Sequence, residues 1–207
     1  MSIENTTTEK DYWTLRYQEQ RTGWDIGSTS TPLQSYIDQL HNKQLKILIP
    51  GAGNSYEAEY LFKNGFKNVH ILDIAREPLE LFKKRVPEFP TDQIIEGNFF
   101  EHTGVYDLIL EQTFFCSFPP TSTNRKQYAQ KIHELLLTDG KLVGLWFDIP
   151  LTGDMEKRPF GGTKEEYLGY LSPLFEVLTF ETCYNSIPPR ANNELFGVFQ
   201  KKQPKTN

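Results

Sequence analysis

The sequence predicts an α/β protein: a Rossmann-like, mostly parallel sheet of seven strands, with helices on both faces and an antiparallel hairpin at the C-terminal end. Three observations predict it. Short apolar runs alternate with segments of helical period between residues 46 and 147, the pattern of strands buried on both faces and joined by helical crossovers. A glycine turn, Gly51 to Gly53, separates the first such run from the first helical segment, and Asp73 closes the next run twenty residues on. That is the layout of a nucleoside-binding corner. Finally, two β-rich runs, 175–184 and 194–201, flank a loop containing Pro188 and Pro189, and strands joined in this way pair antiparallel.

Taken in order, residues 1–40 precede the sheet and hold two of the three tryptophans. They are expected to form a helix and a loop covering the ligand, ahead of a core at 45–201, the whole chain 1–207 being one domain of adequate size for a full core. The parallel strands are expected at 46–50, 69–73, 93–98, 106–112 and 141–147. Glu57, Tyr60, Leu61 and Asn64 share one face of the first helix, which Gly65 ends. A second helix covers 77–86 and stops before Pro87. The clearest helix is 125–137, with Tyr128, Ile132, Leu135 and Leu136 on one side and Asp139 and Gly140 as its stop. The connection 99–105 is too short for a long helix.

Two ligand classes use such a corner, dinucleotides and S-adenosylmethionine. A dinucleotide turn needs a third glycine where the helix packs beside the pyrophosphate; here that place holds Tyr56. A phenol there crowds the helix start that would receive phosphate. Glu57 in the first helical turn repels phosphate and suits a cationic ligand. Asp73, at a strand's carboxyl end, can accept hydrogen bonds from ribose hydroxyls. The residues therefore favour S-adenosylmethionine, with an NAD-dependent oxidoreductase as the rival.

Composition excludes other classes. The net charge is −5, and no basic block exceeds Lys83, Lys84 and Arg85, so the basic face that nucleic acid requires is missing. Cys116 and Cys183 match no zinc spacing, and two thiols in 207 residues suit a reducing compartment. Residues 1–10 are polar, with no apolar signal segment, and no apolar run approaches the ~18 residues of a membrane span. The expectation is a cytoplasmic protein with no membrane or nucleic-acid partner. The four histidines are scattered at positions 41, 70, 102 and 133, so no metal site is expected.

Several blocks, in order, resemble the thiopurine methyltransferase superfamily, in its branch of thiol and halide methyltransferases called harmless-to-ocean-layer proteins. Trp13, Arg16 and Tyr17, then Thr22, Trp24, Asp25 and Gly27, are similar to the family's W-x-x-R/K-Y/W and T-x-W-D-x-G entrance. Pro50 to Gly53, Leu72 to Ile74 and Gly97 to Phe100 follow. Tyr106 to Cys116 resembles F-D-L-I-x-D-Y-x-F-F-C, and Arg125, Leu135 to Gly140 and Arg158 to Phe160 close the series. The resemblance covers nearly the whole chain. It implies a class I methyltransferase using S-adenosylmethionine and a small soft acceptor: a thiol, thiocyanate, halide or thiopurine-like molecule.

Residue by residue, the resemblance implies cofactor contacts from Trp13, Tyr17, Trp24, Gly51, Ala52, Gly53 and Asp73. Aromatic faces attract a sulfonium by ~0.5–2 kcal/mol, which agrees with the first three. Asn98 stands where relatives have Asp for the adenine amino group; its carbonyl still accepts, more weakly. Phe99 would pack on the purine. Glu111 would bind the methionine amino group or cap the strand end, and Gln112 replaces a Tyr or Arg near the cofactor. Asp107 reads as structural. Phe114, Phe147 and Phe160 are expected to wall the acceptor, with no dedicated general base. Relatives carry Tyr at the position of Phe147, and the missing hydroxyl favours a bulkier thiol over chloride. The departures at Asn98, Gln112 and Phe147 keep open a binding protein that has lost catalysis. An amino-methyltransferase of nucleic acids is excluded, because Phe118, Pro119, Pro120 and Thr121 replace its acceptor-bearing D/N-P-P-Y/F block.

Overall fold

In the computed structural model, residues 8–154 and 157–203 are described; the first seven residues of the expected N-terminal cover lie outside them. Seven strands form one sheet: β1 (Ile47–Pro50), β2 (Val69–Asp73), β3 (Ile94–Glu96), β4 (Tyr106–Gln112), β5 (Leu136–Phe147), β6 (Phe175–Thr182) and β7 (Glu194–Lys201). Their order is β3-β2-β1-β4-β5-β7-β6, with β1 to β5 parallel and β7 antiparallel to both β5 and β6. The fold class is as expected, with the final hairpin entering so that β7, not β6, meets β5. The winding direction reverses between β1 and β4. A crevice opens at the carboxyl ends of the strands at such a reversal.

Among the described residues six α-helices accompany the sheet: α1 (Glu9–Gln18), α2 (Thr31–Ile37), α3 (Tyr56–Lys63), α4 (Arg76–Arg85), α5 (Ser122–Leu135) and α6 (Lys164–Leu171). A reciprocal capping box between Thr8 and Asp11 starts α1. α4 buries Pro78, Leu79 and Phe82 and ends in Lys83, Lys84 and Arg85, cations at the negative end of its dipole. The sheet separates two apolar layers, one centred on Ile109, Tyr128, Ile132 and Trp146, the other on Ile49, Leu61, Phe82 and Leu110.

Three local expectations change. The N-terminal segment holds two helices, because Ser30 and Pro32 start a second short one. α5 begins three residues earlier than position 125, at the Thr121 cap whose hydroxyl accepts from Asn124 N at 3.1 Å. It also ends at Leu135, so Asp139 and Gly140 do not stop it. Leu136 instead turns extended and pairs with Tyr106, and Asp139 takes φ +63° where the β4–β5 register shifts. β3 is shorter than 93–98: Thr91–Gln93 form a 3-10 turn before it, and Asn98 accepts from Phe100 N after it. α6 was not anticipated. Its sequence signal is Thr163 three residues before Glu166, a cap that bonds Glu166 N at 3.3 Å.

Gly144 in β5 has a packing reason. A Cβ there would come within 2.5 Å of the Glu111 carbonyl oxygen and 2.7 Å of the Glu111 Cβ on β4. Neither is a flexible side-chain end, so the strands would have to separate. Gly144→Ala is expected to destabilise the protein by about 1–3 kcal/mol, as overpacking does, read as a lower urea midpoint at unchanged slope.

Candidate active site

A cleft of about 680 Å³ opens at the carboxyl ends of β1, β2, β4 and β5, within the range of small-molecule sites. At one end it is lined by Gly51 after β1, Asp73 closing β2, and Gly97, Asn98 and Phe99 after β3. The other end is lined by Phe114, Phe118 and Asn124, with Phe147 ending β5, Arg158, and Arg190 from the β6–β7 loop. One face of α1 covers it: Glu9, Tyr12, Trp13, Arg16 and Tyr17 all reach the cleft, together with Trp24. Trp24 stands edge-on to both Trp13, at 5.3 Å between centroids, and Tyr17, at 5.6 Å.

Asp73 is nearly buried. Its Oδ2 accepts from Gly53 N and its Oδ1 from Ala75 N, both at 2.8 Å. Burial pushes its carboxyl up to about 6, against the pull of those amides. Gly51 and Gly53 both have positive φ, +57° and +51°. At Gly51 the place of a Cβ belongs to Phe114, whose ring would lie 2.0 Å from it; at Gly53 the Tyr17 hydroxyl would lie 3.0 Å away. The close approach expected of a ligand at Gly51 is thus partly made by the protein's own phenylalanine.

A recess of about 60 Å³ adjoins the cleft through the shared residues Trp24, Gly51 and Thr113. Ala52, Gly53 and Gln112 line this recess and not the main cleft. The Asn54 Oδ1 and Gln112 Oε1 oxygens are buried without hydrogen-bond partners. Glu57 also borders the recess, but its carboxylate accepts from Ser30 N at 3.0 Å. It ties α3 to the start of α2, and is not turned to a cationic ligand in the main cleft.

Two expected site residues lie outside the cleft. Glu111 has no exposed surface and borders neither cavity; its Oε1 accepts from Phe114 N and Phe115 N at 2.8 Å each. Of the two readings offered for it, the structure shows the cap at the strand end. Phe160 is buried behind the wall, its N–H donating to the Cys116 carbonyl at 2.8 Å. It packs behind the cleft residues and does not line the cleft. Asn98 does face the cleft, yet its Oδ1 already accepts from Phe100 N at 3.0 Å and its Nδ2 donates to Glu101 at 3.1 Å. Phe99 borders the cleft from within an aromatic cluster, 5.1 Å from Phe114 and 5.8 Å from Tyr128. Asp107 is structural, accepting from Lys46 N at 2.8 Å.

Sequence reasoning missed Arg158 and Arg190 as cleft residues. Arg158 donates from Nε to the Ser117 carbonyl at 2.8 Å and from Nη2 to Glu9 at 2.7 Å. Arg190 pairs with buried Glu194 at 3.2 Å and donates to the Trp24 carbonyl at 2.7 Å, its guanidinium 5.3 Å from the Phe147 ring. Both sit in loops without periodicity. The hints were slight: each arginine stands beside a proline, and Arg158 opens the last of the family-like blocks.

The sequence profile of the thiopurine S-methyltransferase family matches residues 8–205. The chain belongs to that family. Among individual relatives, it is 27% identical over 195 residues to a protein of Arabidopsis thaliana named "Probable thiol methyltransferase 2", covering 91% of this chain and 84% of the relative. Thiocyanate methyltransferase 1 of the same plant is 25% identical over 201 residues, covering 94% and 86%. Of solved structures, the 1,6-didemethyltoxoflavin N1-methyltransferase of Burkholderia thailandensis, with S-adenosylhomocysteine bound, superposes with a TM-score of 0.75 at 16% identity, covering 94% of this chain and 87% of that one. This last likeness supports the fold. As a member of the thiopurine S-methyltransferase family, the protein is an S-adenosylmethionine-dependent methyltransferase of small nucleophiles.

The donor set fits that ligand. A buried carboxylate with spare lone pairs ends β2, aromatic faces cover the middle of the cleft, and unpaired buried oxygens border the recess beside the glycine turn. Binding ribose hydroxyls by charged hydrogen bonds needs Asp73 ionised. Two pH effects then run in opposite directions. Because the folded-state value is raised from 3.8 to about 6, the Asp73 contribution to stability is complete below 3.8 and is lost as pH rises through about 6. If Asp73 accepts from the ligand's ribose, affinity should instead fall as pH drops below about 6, approaching tenfold per unit. Calorimetry with S-adenosylhomocysteine between pH 5 and 8 should show that fall, and Asp73→Asn should weaken binding at pH 8 and flatten the profile.

Proposed function

We propose that the protein transfers the methyl group of S-adenosylmethionine to a small, soft, anionic nucleophile: a thiolate, thiocyanate, halide or thiopurine-like thiol. The observation that supports this most directly is the aromatic cleft that runs from Asp73 to Phe147 and Arg190 at the winding reversal. S-adenosylmethionine, when bound, supplies an electrophilic methyl on a cationic sulfur. The chain's own part is to hold, orient and dry. Asp73 accepts from the ribose and Asn98 and Phe99 bound the adenine. Trp13, Tyr17 and Trp24 present aromatic faces toward the positive charge. Gly51, Ala52, Gly53 and Gln112 border the amino-acid tail, and Phe114, Phe118 and Phe147 wall the acceptor.

Charge disappears when an anion takes a methyl group from a sulfonium, so excluding water lowers the barrier. Helix α1 acts as the lid that excludes it. Three ties hold it across the cleft: Lys10 to Glu96 at 2.7 Å, Gln18 to Glu77 at 2.8 Å, and Glu9 to Arg158 at 2.7 Å. Cys116 borders the cleft, but burial pushes its thiol well above the ordinary range and it donates to the Thr113 carbonyl at 2.9 Å. A protonated thiol is a poor nucleophile, which keeps it from competing for the methyl group. The protein works in a reducing, cytoplasmic setting on this reading, with both cysteines free and buried. No helix among the described residues is long and apolar enough to cross a membrane.

No side chain need remove a proton from an acceptor that is already an anion. Labelled-methyl transfer across thiols, thiocyanate, halides and thiopurines tests the activity and separates it from a silent binding protein. Across thiols of differing acidity, kcat/KM should rise with pH along each acceptor's own thiolate fraction. A fixed enzyme value near 7, common to all acceptors and removed by mutating one His or Glu, would show a general base instead.

A further inference from the structure

Three arginines reach the cleft, Arg16, Arg158 and Arg190, and their charges are met differently. Arg158 has Glu9 at 2.7 Å and Arg190 has Glu194 at 3.2 Å. Arg16 has no carboxylate partner among the described residues. Its guanidinium lies 5.7 Å from the Tyr12 ring centre and 5.7 Å from the Trp24 ring centre, and its Nε is buried with no hydrogen-bond acceptor. A buried donor on a charged group costs stability when unpaired. Stacking fixes the plane of a guanidinium but satisfies none of its N–H groups, and that planar fork matches an anion bidentately. Asp73 and Glu9 are the acidic groups at the cleft; Glu9 bonds Arg158 and Trp13 Nε1, each Asp73 oxygen accepts one backbone amide and keeps a spare lone pair, and neither carboxylate pairs with Arg16.

We propose that Arg16 is the anion-holding residue of this cleft, engaging a carboxylate or comparable anion of a bound ligand. The proposal rests on the methyl-transfer reading and adds a binding determinant to it. Two ligands can bring the anion: the methyl donor, through the carboxylate of its amino-acid tail, or the anionic acceptor. Trp24, one of the rings beneath Arg16, borders both the main cleft and the recess, so the guanidinium stands where either could reach it.

Calorimetry on the full chain distinguishes the sources. The probes are S-adenosylhomocysteine, which has the amino-acid tail; 5′-methylthioadenosine, the same nucleoside thioether without it; and thiocyanate added to the S-adenosylhomocysteine complex. Arg16→Met keeps an apolar stem and removes the fork, and it should lose about ten- to a hundredfold in affinity for one anionic probe. Affinity for 5′-methylthioadenosine should stay within about twofold. Arg16→Lys, which keeps the charge, should fall between wild type and Arg16→Met. Loss for S-adenosylhomocysteine assigns the donor's carboxylate, and loss for thiocyanate alone assigns the acceptor. Unchanged affinity for both anions overturns the proposal, and so does an equal loss for S-adenosylhomocysteine and 5′-methylthioadenosine, which marks a structural role. A wild-type protein that binds neither nucleoside overturns the methyl-transfer reading itself.

Discussion

Glu111, the penultimate residue of β4, has no exposed surface, and its Oε1 takes the N–H groups of both Phe114 and Phe115. Burial in apolar surroundings, next to Glu194, pushes the carboxyl up to about 8 despite those two bonds. The second oxygen finds no partner. A group so placed is costly, and what it secures is the direction of the chain as it leaves the sheet. Thr113 adopts φ +58° there, a conformation that a threonine avoids when free. From that turn Phe114 swings onto Gly51, Phe115 enters the core between Tyr128 and Tyr167, and the Ser117 carbonyl meets Arg158. Cleft wall, core and clasp all branch from one carboxyl group. Gly144 on the neighbouring strand leaves room for it.

Around that turn the protein manages charge in two different ways. Arg125 is buried under the wall and is matched by Glu166 at 2.6 Å and the Gly161 carbonyl at 2.6 Å, with Phe115 and Tyr167 rings beside it. Breaking such a pair leaves an uncompensated charge, so it fixes the position of the 158–162 loop more than it adds net stability. At the cleft surface two arginines combine an ion pair with an aromatic face: Arg158 holds Glu9 at 2.7 Å and lies 4.3 Å over Tyr12, and Arg190 holds Glu194 at 3.2 Å and lies 5.3 Å over Phe147. Both guanidinium groups border the cleft with their planes against rings and their charges paired.

Much of this was legible in the chain. β2, β4 and β7 occur at the residues where apolar runs placed them, because each is bounded by a hard signal: Asp73 at the end of β2, Gly104 shortly before Tyr106, and Asn193 before Glu194. The nucleoside corner was legible for the same reason, since a glycine turn and a strand-end acid lie close in sequence. Less was visible where the decisive contact is distant. Glu111 and Phe160 sit within matching motifs, yet motif position does not say which way a side chain points when the backbone turns sharply. Glu57 looked free to meet a ligand, but its partner Ser30 lies 27 residues away on a segment with no periodic pattern. Arg158 and Arg190 could not be found by period at all, since their partners Glu9 and Trp24 are 149 and 166 residues off.

Those two long-range contacts also explain how a short N-terminal segment can cover the site. α1 buries no residue fully, so apolar packing alone would hold it weakly, and a helix of ten residues is marginal in water. Its position depends on side chains contributed by the opposite end of the chain. Arg158, from the loop after β5, grips Glu9 at the start of α1; Arg190, from the loop before β7, grips the Trp24 carbonyl beyond its end. Trp24 in turn stands edge-on to Trp13 and Tyr17. The antiparallel insertion of β7 beside β5 brings the β6–β7 loop to the carboxyl-end side of the sheet, where the cleft lies. A wholly parallel sixth and seventh strand would carry that loop to the other end of the sheet, leaving Trp24 without its clasp. The hairpin that distinguishes this sheet from a dinucleotide-binding one is therefore also what holds α1 and Trp24 against the cleft.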